Sequence, residues 1–268
     1  MGVLGIDYEI CDNCKSCVSA CSRHFRYDKE QKKVIFDDSQ IPCSLCGRCV
    51  ARCPKDAILH ENLGEFLKYD GVQNPSELVE YSNLFKFMSA NRSMRGYKMK
   101  KVPREIIEKV LNSMRYAPTG GNARVMEITI ISDEEKIRKL SMAVMDGIIA
   151  SDAPGYSDRF KEAKKTGYDP IFYRAPHVLI VHSDFPGQIM NSTIALTYGM
   201  FAAESLGLGS CWIGLAQGVM EKSKDVKENI AGIKNNVFGV ITFGYPTQKY
   251  FKVPPRPVIK IHGLENLE

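Results

Sequence analysis

The sequence lacks the features that would place this chain in or across a membrane. None of its apolar runs approaches the roughly 20 residues that a transmembrane helix requires. Its start, MGVLGIDYEI, has neither the basic region nor the long apolar run of a secretory signal. Ile6 stands where N-myristoylation needs Ser or Thr. We therefore expect a cytoplasmic protein with no membrane partner.

Nucleotide-binding fingerprints are also missing. The nearest approach to G-x-G-x-x-G is Gly207-x-Gly209, but Trp212 occupies the third glycine position. This stretch follows a predicted helix instead of a strand, which is the wrong context for a dinucleotide phosphate loop. The lysine pattern of a P-loop is absent as well. A Rossmann-type NAD site is therefore not expected.

Cysteine, in contrast, is abundant and concentrated. Eight of the nine cysteines fall in two runs, CDNCKSCVSAC and CSLCGRCVARC, and each cysteine of the second run follows its counterpart by 32 residues. The first 60 or so residues therefore contain a duplication built around thiols. Disulfides would require an oxidising compartment, and zinc usually takes two separated C-x2-C pairs. The spacing C-x2-C-x2-C-x3-C favours iron–sulfur clusters over both alternatives. Cys211, the ninth, is interpreted as a buried structural residue.

Residues 1–62, with these two runs, resemble the bacterial two-cluster ferredoxin. The short β-type runs VLGI, KVIF and AILH flank the cysteine loops, as a duplicated βαβ module needs. In one departure, Pro54 follows the second run but Ser22 follows the first, which bears on the potential or stability of the cluster that Cys21 serves. The last cysteine of each run ligates the other cluster of such a pair. The resemblance thus implies one [4Fe–4S] cluster on Cys11, Cys14, Cys17 and Cys53, and another on Cys43, Cys46, Cys49 and Cys21.

The remainder of the chain is predicted to be α+β, with helices around a sheet. Residues 63–75 are rich in Gly, Asn and Pro and are predicted to be a linker to a domain at 76–268. Ser132 and Glu135 match a capping box that begins a helix. Other helices are expected around Leu78–Met88, from Pro103 to before Pro118, and over 189–209, and strands are expected at MEITII, HVLIV and VFGVITF.

Two segments of this domain have unusual composition. The predicted helix over 189–209 has almost no polar face, so it must be buried on nearly all sides, and a core shared by two chains is one way to achieve that. Residues 151–175 are polar and aromatic with Pro and Gly interruptions, which suits a mobile lid. Tyr156, Tyr168 and Tyr173 in that segment are candidate proton donors or pocket wall, and no catalytic residue is assigned.

Arginines could form a phosphate site. RSMR supplies two guanidiniums and a hydroxyl within four residues, and PPRP places Arg256 near the far end of the sequence. Guanidinium forks match phosphate oxygens bidentately. From these residues alone, convergence on one phosphomonoester and simple solvent exposure both remain open.

Residues 76–257 resemble the FMN-dependent nitroreductase family. Four blocks carry the resemblance in the family's order and spacing: NRSMRGY, VPREIIEKVLNSMRYAPTGGNA, AAESLGLGSCWIG and VITFGYP. Two departures are Asn91, where the family commonly has a basic residue, and Arg124-Val125, where it commonly has Gln-Pro. The family is a homodimer with two interfacial FMN sites. The resemblance implies an FMN phosphate held by Arg92, Ser93 and Arg95 and closed by Arg256, a loop of Pro118, Thr119, Gly120 and Asn122 facing the partner's flavin, and backbone at Ile213, Gly214 and Leu215 near the ring's N5 edge.

Together, these parts predict an electron converter. Clusters pass one electron at a time, whereas a flavin stores two and can deliver them as a hydride. We expect an oxidoreductase that takes electrons from a low-potential donor, ferredoxin or flavodoxin, and reduces a small organic acceptor such as a nitroaromatic, a quinone or an activated C=C. The alternatives are an electron-transfer or redox-sensing protein with a protein partner, and a flavin dehydrogenase running in the opposite direction.

The charge of the chain argues against nucleic acid as a partner. The formal charge of +5 counts every cysteine as neutral. Two oxidised clusters at about −2 each bring it to about +1, and the FMN phosphate brings it to about −1.

Overall fold

The computed structural model describes residues 2–64, 67–69, 71–72, 74–152 and 154–264. Their contacts divide the chain into two units. The N-terminal unit comprises Met1–Leu78 and Pro118–Arg124, and the C-terminal unit comprises Val79–Ala117 and Val125–Glu268. The predicted linker, 63–75, lies partly outside the described residues. Among the helices in the described ranges, none is both long and apolar enough to cross a bilayer.

The N-terminal unit is a duplicated strand–helix–strand module. Each half contains a strand, a helix and a second strand, and the strands pair antiparallel, β1 with β4 and β2 with β3. The strands predicted from VLGI, KVIF and AILH are confirmed, and β2 is additional. The elements are β1 (Val3–Ile6), α1 (Ser16–Ala20), β2 (Phe25–Asp28), β3 (Lys33–Phe36), α2 (Arg48–Ala51) and β4 (Ile58–His60).

The core of this unit is small. It contains eight buried residues, two of which are cysteines of the duplicated runs: Val3, Ile6, Cys17, Phe25, Val34, Cys49, Val50 and Ile58. A domain of about 60 residues buries too little apolar surface to be more than marginally stable. The unit therefore needs further stabilisation from whatever its thiols bind.

The C-terminal unit is an antiparallel sheet with helices on both faces, which confirms the α+β class. Its four strands lie in the order β5-β6-β8-β7. The elements are α3 (Tyr81–Ala90), α4 (Arg104–Met114), β5 (Glu127–Ile131), α5 (Glu134–Ala150), α6 (Ser157–Thr166), β6 (His177–Ser183), α7 (Ile189–Ser205), β7 (Gly209–Trp212), α8 (Gly214–Lys222), a π-helical turn (Asp225–Ala231) and β8 (Asn236–Gly244).

The central strand β6 shows why the run VLIV, residues 178–181, is apolar throughout. Val178 and Ile180 pack into the core cluster that includes residues of α5 and α6. Leu179 and Val181 pack on the opposite face with residues of α4 and α7. Because successive side chains point to opposite faces, a strand covered on both sides needs an unbroken apolar run.

Two local predictions are wrong. Helix α5 is capped by Asp133, whose carboxylate accepts the Lys136 N–H at 2.7 Å. The Ser132 hydroxyl, assigned to a capping box with Glu135, instead lies 2.6 Å from His177 Nδ1. A buried partner 45 residues away outcompetes the local cap.

The predicted lid over 151–175 is also wrong for its larger part, because residues 160–175 contribute to the core. Helix α6 buries Phe160 and Ala163, and Ile171 and Phe172 are almost fully buried. The Asp169 carboxylate fixes the turn by accepting the Ile171 and Phe172 N–H groups at 3.1 and 3.0 Å. The apolar residues are too irregularly spaced for a periodicity argument to find them.

Helix α7 is only half covered within one chain. It buries a stripe of small residues together with Leu196, and Gly199 leaves room for Met114 of α4. Its other face exposes Ile189, Met190, Ile194 and Tyr198. Helix α3 buries none of its residues. The sequence predicts that α7 is buried on nearly all sides, but a single chain buries only one of its faces.

Candidate functional site

The first group of thiols lies around one cavity of the N-terminal unit. Cys11, Cys14 and Cys17 line it together with Cys53 of the second run. Burial raises the pKa of the Cys17 thiol, and the neighbouring Cys11 and Cys53 add to the rise. Thiols placed together in this way favour a cation that replaces their protons.

The second group lies around another cavity of the same unit. Cys43, Cys46 and Cys49 line it together with Cys21 of the first run. Burial raises the pKa of the Cys49 thiol to about 11, with smaller contributions from Cys43, Cys21 and Cys46. Each cavity thus takes three cysteines from one run and the last cysteine from the other.

The grouping of four thiols around each cavity, three from one loop and the fourth from the other, is the ligand pattern of a cubane of iron and sulfide. Among the described residues, no three His, Cys, Asp or Glu side chains form a ready-made site for a single metal ion. The Ala57 N–H also donates to Cys53 Sγ at 3.3 Å, a contact that favours thiolate at this position.

The duplication extends to the backbone of the two cysteine loops. Asn13 and Leu45, 32 residues apart, both adopt left-handed conformations, with φ of 59° and 55°. Lys15 and Gly47 repeat this at the N-caps of α1 and α2, with φ of 63° and 68°. Left-handed non-glycine residues cost about 1–3 kcal/mol each and concentrate at functional sites. The turns allow three cysteines of each run to line one cavity.

In the C-terminal unit, the RSMR segment lies beside strand β7. Ser93 forms a parallel bridge with Ser210, and the Met94 N–H donates to the Ser210 carbonyl at 2.8 Å. Met94 is buried, whereas Ser93 and Arg95 on either side of it are exposed. The backbone pairing therefore presents a hydroxyl and a guanidinium outward from the same short segment.

Arg95 and Ser93 lie in one polar cluster. Burial raises the pKa of the Tyr173 hydroxyl and of the Cys211 thiol, and the nearby Arg95 opposes the rise at both groups, with Ser93 opposing it also at Cys211. Burial alone would lower the pKa of Arg95, but Cys211, Tyr173 and Tyr250 together raise it. Sequence reasoning missed Tyr173 in this role, because a turn of two left-handed residues brings it there.

The three predicted phosphate arginines differ in placement. Arg92 is half-buried on the same segment as Arg95. Arg256 is exposed in the irregular chain after β8, and no hydrogen bond or ion pair joins it to the other two among the described residues. No carboxylate in the described part of the chain forms a salt bridge with any of the three.

The junction of β7 and α8 provides backbone donors. The Ile213 N–H donates to the Val240 carbonyl at 2.8 Å, which anchors the turn to β8. Helix α8 begins at Gly214, so the N–H groups of Gly214 and Leu215 have no acceptor within the helix. The positive end of the helix dipole adds to their preference for an electron-rich partner. Gly214 is exposed, which leaves this end accessible.

The segment Pro118–Arg124 belongs to the N-terminal unit by its contacts. Asn122 Nδ2 donates to the Ser44 carbonyl at 2.8 Å, and Arg124 Nη2 donates to the Leu45 carbonyl. Both acceptors lie between Cys43 and Cys46. That Pro118, Thr119, Gly120 and Asn122 face a flavin stays a prediction.

The other departure from the family pattern, Asn91, has a partner in α7. Asn91 Nδ2 donates to Glu204 Oε2 at 3.3 Å. Burial raises the pKa of Glu204, and the Asn91 hydrogen bond opposes that rise. A neutral amide at position 91 is therefore matched to a half-buried carboxyl.

Comparisons with known proteins find two family patterns in the chain, and Pro118–Arg124 falls within the one nearer the C-terminus. The Nitroreductase family pattern matches residues 89–245, and a 4Fe-4S dicluster domain pattern matches residues 10–58. A protein of Archaeoglobus fulgidus, provisionally named NADH dehydrogenase/NAD(P)H nitroreductase, is 29% identical over 163 residues. That match covers 60% of this chain and 84% of the relative.

Solved structures agree at the level of the fold. A nitroreductase with bound FMN from Bacteroides fragilis has a TM-score of 0.52 at 24% identity, covering 66% of this chain and 98% of that one. Another with bound FMN, from Desulfitobacterium hafniense, has a TM-score of 0.54 at 15% identity, covering 66% and 97%.

Proposed function

The chain belongs to the nitroreductase family and carries a 4Fe-4S dicluster domain, and on this basis we propose that it is an FMN-dependent oxidoreductase fed by two [4Fe–4S] clusters. Electrons enter from a low-potential donor, ferredoxin or flavodoxin, and pass to a small organic acceptor such as a nitroaromatic, a quinone or an activated C=C. The observation that carries this proposal is the crosswise grouping of eight cysteines around two cavities. It accompanies a flavin-type domain in the same chain.

The cysteines would hold the two clusters. Cys11, Cys14, Cys17 and Cys53 would ligate the first, and Cys21, Cys43, Cys46 and Cys49 the second. Such clusters supply one-electron transfer, with potentials set in part by hydrogen bonds to their sulfurs. The Ala57 N–H at Cys53 is one such donor.

The C-terminal unit would bind FMN through three groups of residues. Ser93, Arg95 and the half-buried Arg92 would bind the phosphate, and Arg256 would close the site. The N–H groups of Gly214 and Leu215, next to Ile213, would donate to the electron-rich edge of the ring. Bound FMN supplies storage of two electrons and their delivery as a hydride. The tyrosines 156, 168 and 173 remain without an assigned protonation role.

The protein would work as a homodimer in the cytoplasm. The exposed apolar residues of α7, together with Tyr81 and Phe85 of α3, form surface that one chain leaves uncovered. Several large exposed apolar side chains on the same helices favour an interaction site. A second copy presenting the same helices would complete the burial that the sequence of α7 requires.

The test is the route of electron entry, measured on the full-length protein purified without oxygen. Wild-type protein should contain about eight irons and eight sulfides per chain. Reduced ferredoxin should then support acceptor reduction faster than NADH, the donor suggested by the name of the Archaeoglobus relative. Cys14→Ser and Cys46→Ser should each lower iron content and ferredoxin-driven turnover, while a chemical hydride donor still reduces the flavin.

Cys211→Ser is the matched control for iron content, because Cys211 lies in β7 and outside both cavities. Stoichiometric zinc without sulfide would refute the cluster assignment. A preference for NADH that both cluster-ligand variants retain would show that the clusters are not the entry path.

A further inference from the structure

The two cysteine loops of the duplication are braced differently. In the first loop, Asp12 Oδ1 accepts the Cys14 N–H at 3.1 Å, and Asn13 Oδ1 accepts the Val34 N–H at 2.9 Å. The loop therefore holds itself in place with its own side chains. Its counterpart 32 residues later has Ser44 and Leu45 at these positions. Neither makes a side-chain hydrogen bond among the described residues.

The second loop is braced from the segment Pro118–Arg124. The Asn122 side-chain amide donates a hydrogen bond to the Ser44 carbonyl, and the Arg124 guanidinium donates one to the Leu45 carbonyl. Asn122 follows Gly121 in left-handed conformation, with φ of 57° and 62°, and its N–H donates to the Thr119 carbonyl at 3.1 Å. This compact turn fixes the direction of the Asn122 amide. The second loop is thus fixed by two side chains almost 80 positions away, whereas the first loop is fixed by the side chains of its own Asp12 and Asn13.

Bracing the carbonyls also orients the N–H groups of the loop. In a trans peptide the C=O and N–H of one plane point in opposite directions. Holding the Ser44 and Leu45 carbonyls against Asn122 and Arg124 therefore turns the N–H groups of Leu45 and Cys46 away from those residues. Neither N–H donates to another backbone acceptor in the described ranges. They belong to the loop whose Cys43 and Cys46 line the second cavity, so they are candidate donors to sulfur there.

We propose that Asn122 and Arg124 are positioning residues for the second [4Fe–4S] cluster, an inference that rests on the two-cluster function proposed above. They fix the Cys43–Cys46 loop through its carbonyls, and the Arg124 charge favours the more negative, reduced form of the cluster. N–H donors and nearby cations both raise a cluster's potential. The proposal also gives Arg124 a function that the family's usual Gln would not supply.

The test is an anaerobic redox titration of the full-length protein, followed by electron paramagnetic resonance. Cys14→Ser and Cys46→Ser assign the signals to the first and second clusters. Arg124→Gln should shift the reduction equilibrium of the second cluster toward the oxidised form by roughly three- to tenfold, where tenfold equals 59 mV for one electron. Asn122→Ala should shift it in the same direction, Arg124→Lys should restore most of the wild-type value, and the first cluster should not change.

Arg115→Gln is the matched control, because Arg115 is exposed and its guanidinium bonds the neighbouring Tyr116 hydroxyl. Loss of iron from the second cluster alone in Arg124→Gln or Asn122→Ala would also support the proposal, since the ligand loop would have lost its brace. Second-cluster potentials equal to wild type in both variants, with iron content intact, would overturn it. Fewer than two clusters in wild-type protein would instead refute the proposed function.

Discussion

Arg95 is the single side chain on which the proposed flavin site depends most. Its guanidinium is presented outward by the pairing of Ser93 and Met94 with Ser210, and no described carboxylate neutralises it. Arg95→Ala should weaken FMN binding by about 10- to 150-fold, because a charge-assisted hydrogen bond contributes about 1.5–3 kcal/mol. Titration with FMN and with riboflavin separates the phosphate contribution from that of the ring.

Riboflavin affinity should be the same in wild type and Arg95→Ala. Arg104→Ala serves as the control, since Arg104 is exposed and pairs with Glu108. If wild type binds both flavins equally tightly, the phosphate site has been assigned to the wrong residues.

Protonation of His177 makes the free energy of unfolding of the C-terminal unit depend on pH. Its ring accepts the Val102 N–H at 2.9 Å, bonds Ser132, and has its pKa lowered to about 4, mainly by burial and further by Lys101. The unfolded chain binds a proton near pH 6.5, so unfolding is favoured as the pH falls from 6.5 to 4. Stability should therefore fall by about 1–3 kcal/mol over this window and be constant for this group above it.

The measurement is urea unfolding of the FMN-free protein between pH 7 and pH 4.5. Trp212 is the only tryptophan and lies in β7, so its fluorescence reports the C-terminal unit. His177→Gln should be less stable at pH 7 but lose less stability on acidification. The buried His182 remains in both proteins as a common background. Equal pH slopes for the two proteins would exclude His177 as the titrating group.

At the scale of elements, the uncovered face of α7 predicts how the chains assemble. Ile194 and Tyr198 lie one turn apart and are both exposed. Placing a charge there should oppose dimerisation, because an unpaired charge in an interface costs about 3–5 kcal/mol. Tyr198→Glu should therefore raise the dimer dissociation constant by 100-fold or more. Sedimentation velocity over a concentration series measures it, with Thr166→Glu on α6 as the control. An equally stable dimer in the Tyr198→Glu variant would place the interface elsewhere.

The elements show which parts of this fold are readable from sequence. HVLIV and VFGVITF are almost entirely apolar because their strands are covered on both faces, and short runs of this kind favour a buried strand. The segment around Ile171 and Phe172 is equally buried, but one carboxylate, Asp169, fixes its turn. A turn of that kind has no periodic apolar pattern by which it could be predicted. Likewise, Ser132 matches a capping box in the local sequence, but its hydroxyl hydrogen-bonds His177 of β6 instead.

The candidate site likewise has one part that the sequence predicts and one part that it does not. The crosswise grouping of cysteines could be expected from the resemblance of the two cysteine runs to the two-cluster ferredoxin, in which the last cysteine of each run ligates the other cluster. The braces on the second loop could not, because Asn122 lies 78 residues from Ser44. Long-range side-chain contacts to a backbone carbonyl leave no pattern in a single sequence.

At the scale of the whole chain, the two units have separate cores of unequal size. A cluster of eight buried residues forms the core of the N-terminal unit among the described residues, whereas two larger clusters support the C-terminal unit. Small domains commonly depend on bound metal for folding, because the binding free energy is then part of the folding free energy. Loss of iron should therefore unfold the N-terminal unit and leave the C-terminal unit folded.

Limited trypsin digestion of iron-free and iron-loaded protein tests this, with the Trp212 urea transition measured on the same samples. Removing iron should accelerate cleavage within residues 2–64 at least tenfold, because proteolysis follows the population of open states. Cleavage after Arg124 should appear in parallel, since that residue belongs to the N-terminal unit by its contacts. The Trp212 midpoint should stay constant, because the sheet and its two apolar clusters contain none of the eight ligand cysteines. An unchanged digestion pattern would mean that the small core suffices without clusters. A shifted Trp212 transition would mean instead that the two units unfold together.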